Sequence, residues 1–195
     1  MYSNKKIDQF NILIVGIGGQ GQITLLEILA EAAFYEGYNV KTSELHGLAQ
    51  RGGSVEVHIR FGKEIFSPLI LQEKADFVLA LEMQECLKAC YYANPKTIFL
   101  INKYIVSVPL QKTFSENEIL ENLKKISKNI YLISANEICQ EKLGTNLVAG
   151  VYLLSLASFK KLIPLKPNSI LKAIKKIISE KYLDLNLKTF TLAKN

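Results

Sequence analysis

Apolar residues along this chain fall into two alternating rhythms. Phe10 to Val15 is a short apolar run ending at a glycine-rich turn, and beyond it Leu25, Leu26, Ile28, Leu29, Ala32 and Ala33 recur at helical spacing until Gly37 supplies a stop. A strand, a glycine loop and a helix therefore open the chain. Asn39 to Ser43 reads as a second strand. Ser54 to Phe61 alternates with period two, Val55, Val57 and Ile59 against Glu56, His58 and Arg60; Phe61-Gly62-Lys63-Glu64 then reads as a turn into Ile65 to Ile70. That pattern predicts a hairpin with one wet face.

Phe77 to Leu81 and Thr97 to Ile101 are short, mostly apolar runs of the kind buried inside a parallel sheet, with a helix predicted between them from about Gln84 to Tyr92. Ser115-Glu116-Asn117-Glu118 is a capping box opening a helix with lysines in its last turn, and Ile130 to Ile133 is a further strand. A short helix follows and stops near Gly144. Asn146 opens another through LVAGVYLLSLASF, and Ser169 caps a last amphipathic helix ahead of a tail, DLNLKTFTLAKN. Repeated strand–helix alternation predicts a doubly wound, mainly parallel, Rossmann-like α/β sheet with helices on both faces, one domain over residues 1–195.

Composition narrows the function classes. At 195 residues, 49% hydrophobic and 22% charged, the chain is that of a globular domain; MYSNKKIDQF lacks a signal-peptide core, and no later run approaches the roughly 18 apolar residues of a membrane span. A cytoplasmic protein without membrane contact is expected. The net charge of +6 raises the question of nucleic acid. The lysines, however, cluster in LKKISK, FKKL and ILKAIKKIISEKY, where they alternate with apolar residues as on solvated helix faces, and no nucleic-acid partner is expected. Cys86 and Cys90 stand one helical turn apart, but Cys139 has no ligand spacing to them; neither a metal site nor an iron–sulfur cluster is expected on this chain.

The chemistry concentrates in two segments. In VGIGGQGQIT, Gly16, Gly18 and Gly21 are spaced like a dinucleotide-binding fingerprint. Gly16 would permit a tight turn, Gly18 and Gly19 clear the approach to a phosphate beside Gln20, and Gly21 lets the helix pack closely on the sheet. Glu44, a little over 20 residues on, stands where a ribose-binding acid is expected. The alternative is that the glycines only permit a tight crossover and Glu44 is a solvated strand end. The second segment, LHGLAQRGGSV, is a loop by virtue of Gly47, Gly52 and Gly53, and it carries His46, Gln50 and Arg51: a titratable group, an amide and a planar cation able to clamp an anion. Each also has a purely structural use, His46 bonding backbone and Arg51 pairing with Glu44 or a partner chain. No nucleophile–histidine pair stands at a diagnostic spacing, so no catalytic residue is assigned.

Together, GIGGQG, SELHGLAQRGGSVEVHIRFG, SPLI and ADFVLALE resemble the gamma-type domain of the 2-oxoacid:ferredoxin oxidoreductases, and within it the small beta subunits of the indolepyruvate type. The resemblance continues through TNLVAGVYLLSLASFKKLIPL and covers nearly the whole chain. Gln22 replaces the aliphatic residue usual in the family loop, and Leu48 a methionine. The resemblance implies an enzyme that decarboxylates a 2-oxoacid on thiamine diphosphate, passes electrons through 4Fe-4S clusters to ferredoxin and transfers the acyl group to coenzyme A. It places thiamine diphosphate and the ferredoxin-like clusters on a large alpha subunit and makes coenzyme A a candidate ligand here. Gly16, Gly18, Gly19, Gln20, Gly21, Glu44, His46, Gln50, Arg51, Gly52 and Gly53 are the candidate cofactor-binding residues. A free-standing dinucleotide-binding oxidoreductase and a non-catalytic regulatory subunit are the rival readings.

Overall fold

A computed structural model describes residues 7–46, 53–106 and 113–194. Gly37 and Gly144 end helices, both in the left-handed region that glycine adopts without strain. The chain begins with strand β1 (Gln9–Ile17), helix α1 (Gln22–Tyr35) and the antiparallel pair β2 (Asn39–His46) and β3 (Ser54–Gly62). Next come β4 (Phe77–Ala80), the short α2 (Met83–Cys86) with a 3-10 turn at Lys88–Tyr91, and β5 (Ile98–Asn102). Helix α3 (Glu116–Lys124), β6 (Ile130–Ile133), α4 (Ala135–Leu143), α5 (Ala149–Phe159), α6 (Pro167–Ile177) and α7 (Glu180–Leu192) complete it. Helix α3 opens on the expected capping box, Ser115 with Glu118.

The strands form one sheet in the order β2-β3-β1-β4-β5-β6. β1, β4, β5 and β6 run parallel, β3 antiparallel to both β1 and β2, so only β3 is reversed. Helices α1, α5 and α6 pack on one face over a core containing Ile12, Ile14, Leu25, Leu29, Phe77 and Leu154; the other face buries Leu13, Val15, Val78, Phe99 and Ile119 under α2 and α3. The doubly wound, mostly parallel architecture expected from the pattern is present.

Four local expectations need correction. Residues 65–70 do not form a strand, because their backbone is satisfied by side chains: Arg60 Nη1 donates to the carbonyls of Ser67 and Leu69, and His58 Nδ1 accepts from the Ile70 N–H. The supposed wet face of β3 is therefore roofed, and His58 is buried at 1% exposure. The helix at Gln84 to Tyr92 breaks at Leu87, where Cys90 and Tyr92 turn to carbonyls three residues back. Helices α5 and α6 begin at Ala149 and Pro167 rather than at Asn146 and Ser169. The tail is helix α7, whose inward face carries Asn186 and Thr189, bonded back to the carbonyls of Tyr182 and Leu185. Among the described residues no helix is long and apolar enough to cross a membrane.

Candidate functional site

The carboxyl end of β1 is held by two glutamines. The Ile17 N–H donates to Gln20 Oε1 at 2.8 Å, while the Ile17 carbonyl accepts from the Gln20 N–H at 3.2 Å and from Gln22 Nε2 at 2.8 Å. This closure leaves no room at Gly16, where a Cβ would lie 2.6 Å from Gln20 Oε1, 2.7 Å from Gln22 Nε2 and 3.1 Å from Leu81 Cβ. Gly16 is thus still inside the strand and is required by crowding, not by a turn. The turn itself comes from Gly19 and Gly21, with φ of 102° and 81°. Gly21 caps α1, and a Cβ there would meet nothing; the close helix contact expected of it is made by Gly150 of α5, where a Cβ would stand 2.9 Å from Leu25 Cδ1. The departure at Gln22 has its explanation here, since its buried amide is a structural donor to Ile17.

Gly18 turns its N–H away from the loop and gives it to the Gly53 carbonyl at 2.8 Å, which joins the two glycine-bearing segments identified in the sequence. His46 is the last residue of β2. Gln50, Arg51 and Gly52 lie outside the described residues.

Glu44 is exposed and shares a cavity of about 370 Å³ with Gly18, Gly19, Gly21, Gln22, Ile23 and Val55. The strand order nevertheless separates it from the place an acid holds in a nicotinamide-binding sheet. There the second strand lies beside the first; here β3 is inserted between them, which moves Glu44 outward by one strand spacing, about 4.8 Å.

The start of α1 is a helix N-terminus with no acidic side chain in its first turn and no side-chain cap, while Glu44 borders the adjoining cavity. Two further cavities flank the same loop. One, of about 470 Å³, runs from Gln20 and Gly21 between Leu25, Val151, Ile178 and Tyr182. The other, of about 140 Å³, is bordered by Gln20, Asn102, Tyr104, Asn136 and Asn146. Asn102 is buried, and its amide donates to the Leu81 carbonyl at 3.2 Å and to Asn136 Oδ1 at 2.9 Å. A polar residue closing the apolar run IFLIN was a readable signal for Asn102; Tyr182, ending the lysine-rich ILKAIKKIISEKY, carried none, because its place on the cavity depends on how α7 packs.

The ionisable groups nearby do not form a metal centre: among the described residues no cluster of His, Cys, Asp and Glu could hold an ion. Burial pushes the Cys86 thiol well above its ordinary range and raises Cys90 as well, so the pair packs as neutral thiols. Glu82 is buried at the head of α2 and accepts from the N–H groups of Glu85 at 2.8 Å and Val106 at 3.0 Å; burial raises its pKa against the opposing pull of these bonds.

The family model for pyruvate ferredoxin/flavodoxin oxidoreductase matches residues 11–195, which include the whole sheet from Asn11 onward and every loop described above. The chain belongs to that family. An indolepyruvate oxidoreductase subunit IorB of Archaeoglobus fulgidus is 36% identical over 192 residues, 96% of this chain and 94% of that protein. A pyruvate/ketoisovalerate oxidoreductases common subunit gamma of Pyrococcus furiosus is 33% identical over 164 residues, 84% of each chain. A 2-oxoglutarate:ferredoxin oxidoreductase of Magnetococcus marinus, with 2-oxoglutarate, coenzyme A and succinyl-CoA bound, shares the fold at a TM-score of 0.70 and 18% identity, covering 96% of this chain and 30% of that one. The resemblance drawn from GIGGQG and HGLAQRGGSV therefore holds for the family.

Proposed function

We propose that this chain is the small subunit of an indolepyruvate-type 2-oxoacid:ferredoxin oxidoreductase. The complex converts an aryl 2-oxoacid and coenzyme A to acyl-CoA and carbon dioxide, releasing a proton and two electrons that reduce ferredoxin. Thiamine diphosphate and the 4Fe-4S clusters belong to a large alpha subunit. The observation that carries this reading is the near end-to-end correspondence with the Archaeoglobus subunit, over 96% of this chain and 94% of the relative.

Within this reading the glycine loop is the coenzyme A site. The outward N–H groups at the start of α1 receive a phosphate, and Arg51 supplies a second charge-assisted contact. The coenzyme A named for the Magnetococcus structure supports the choice of ligand. A second reading, a dinucleotide site, rests on Glu44 bordering the same cavity as Gly18, Gly19 and Gly21, although β3 sets it one strand farther out than the acid of a nicotinamide-binding sheet.

The test is purification of the complex from the native cell, followed by 2-oxoacid-dependent viologen reduction with indolepyruvate, phenylpyruvate, pyruvate and 2-oxoisovalerate. Preference for the aryl acids and dependence on coenzyme A are expected. Preference for pyruvate would reject the indolepyruvate type, and micromolar NAD binding by the isolated chain that Glu44→Ala abolishes would favour the second reading.

A further inference from the structure

The sheet is covered unevenly. In a doubly wound fold each face is roofed by crossover helices, but β2 and β3 are antiparallel neighbours, and the helix that packs on them, α1, lies on one face only. On the opposite face the register sets Lys41, Ser43 and Leu45 beside Arg60, His58 and Glu56. The strap Ile65–Leu71, which contains the SPLI segment that helped to carry the family resemblance, roofs Arg60 and His58 and leaves Lys41 and Leu45 open.

The strap is built as a rigid platform. Ile65 and Ile70 turn inward at 6% and 4% exposure. Arg60 holds the Ser67 and Leu69 carbonyls at 2.8 and 3.0 Å, and its Nε donates to Asn11 Oδ1 at 3.0 Å. His58 takes the Ile70 N–H on Nδ1 at 3.1 Å, and its Nε2 is 2.8 Å from Glu56 Oε1, which also accepts from the Tyr92 hydroxyl at 2.7 Å. Large apolar side chains are left outside: Phe66 is 88% exposed, Leu71 67%, Tyr91 57%, Leu45 47% and Leu69 45%. Tyr91 adjoins the strap, because its carbonyl accepts the Glu73 N–H and its ring meets that of Tyr92, itself against His58.

We propose that this strap and the open half-face beside it are the docking surface for the large partner subunit, a proposal that rests on the subunit reading above. The five side chains expose on the order of 500 Å² of largely apolar surface, at the upper end of what a free-standing protein leaves in contact with water. That is more than half of the roughly 800 Å² each partner gives to a stable interface, so the patch suffices as its apolar centre and the mixed charges of Lys41, Glu64, Glu73 and Lys74 furnish a polar rim. Fixing the strap from beneath lowers the ordering cost of association.

The test uses the thiamine-binding large subunit copurified from the native cell, separated and recombined with this chain. Phe66→Glu and Leu71→Glu should each weaken recombination at least about thirtyfold, as loss of a central apolar anchor does, while Phe34→Glu, as exposed as Leu71 but on α1, should not. Equal thermal melts of the free variants exclude unfolding, and amide exchange on the wild type gives an independent reading: residues 64–74 should become protected on recombination. If wild type recombines and Phe66→Glu and Leu71→Glu do so equally well, or the strap gains no protection, the docking surface is elsewhere. If these variants instead disperse a homodimer of free chains, a second copy is the occupant and the proposal is overturned. Failure of wild type to bind any thiamine subunit would instead remove the subunit reading itself.

Discussion

The Gly18 N–H donates to the Gly53 carbonyl at 2.8 Å, tying the loop at the start of α1 to the end of the segment that carries Gln50 and Arg51. Two stretches more than thirty residues apart in sequence thus meet at the carboxyl edge of the sheet, where an α/β fold binds its ligands.

The three glycines of the fingerprint act differently, and substitution separates them. Gly16→Ala forces Gln20, Gln22 and Leu81 apart and should cost about 1–3 kcal/mol, read as a lower Tm in calorimetry. At Gly21 space is free and only the backbone is strained, so Gly21→Asn should cost about 1 kcal/mol or less and Gly21→Val clearly more. Equal losses for Asn and Val would contradict the assignment of Gly21 to a conformational role.

Gln22→Leu restores the aliphatic residue usual in the family loop and removes the donor to Ile17. The Ile17 carbonyl keeps the Gln20 N–H, so the loss should be about 1 kcal/mol in a denaturant melt. A loss above about 3 kcal/mol would mean that the Gln22 amide holds the loop by itself.

Glu56 predicts a pH dependence. Burial alone would raise its pKa, but the hydrogen bonds from His58 and Tyr92 outweigh that and hold it below the ordinary value of 4.5; Tyr92 is pushed up to about 12, by burial first and then by Glu56. A lowered acid stabilises the fold above its unfolded pKa and loses that contribution as pH falls through the folded pKa. The stability gap between wild type and Glu56→Gln should therefore be full near neutrality and shrink as pH falls below about 4.5. A gap constant from pH 7 to 3 would show that the ionised carboxylate contributes nothing.

How far these features can be read from the sequence depends on their range. The glycine loop, the capping box at Ser115 and the stops at Gly37 and Gly144 rest on local backbone chemistry, and the structure has them where the pattern predicts. Pairing partners are not local: Ser54 to Phe61 looks the same whether it folds onto residues 65–70 or inserts between β1 and β2, and the insertion decides where Glu44 falls. Helix α7 was hidden because polar Asn186 and Thr189 occupy its buried face, so its apolar residues do not keep helical period. Chemistry in the candidate site was partly legible. Gln20 stood inside the fingerprint, yet its bond to Ile17 depends on a loop shape that spacing does not convey.

If the loop holds coenzyme A, two substitutions should act by different routes in the assembled enzyme. Arg51→Ala removes a charge-assisted contact and should raise the coenzyme A Kd ten- to a hundredfold, about 1.5–3 kcal/mol, with the fold intact. Gly18→Val places a branched side chain beside the cavity it shares with Gly19 and Gly21 and should block the site by bulk. Unchanged coenzyme A dependence in both would reduce the loop to a tight crossover.

The most direct measurement of the central claim is 2-oxoacid-dependent viologen reduction by this chain alone, by the separated large subunit alone and by the two recombined. If the redox centres lie on the large subunit, this chain alone should show no turnover, the large subunit little, and the recombined pair restored, coenzyme A-dependent turnover with arylpyruvates. Turnover by the isolated chain comparable to that of the recombined enzyme, or full activity of the large subunit without it, would contradict the account.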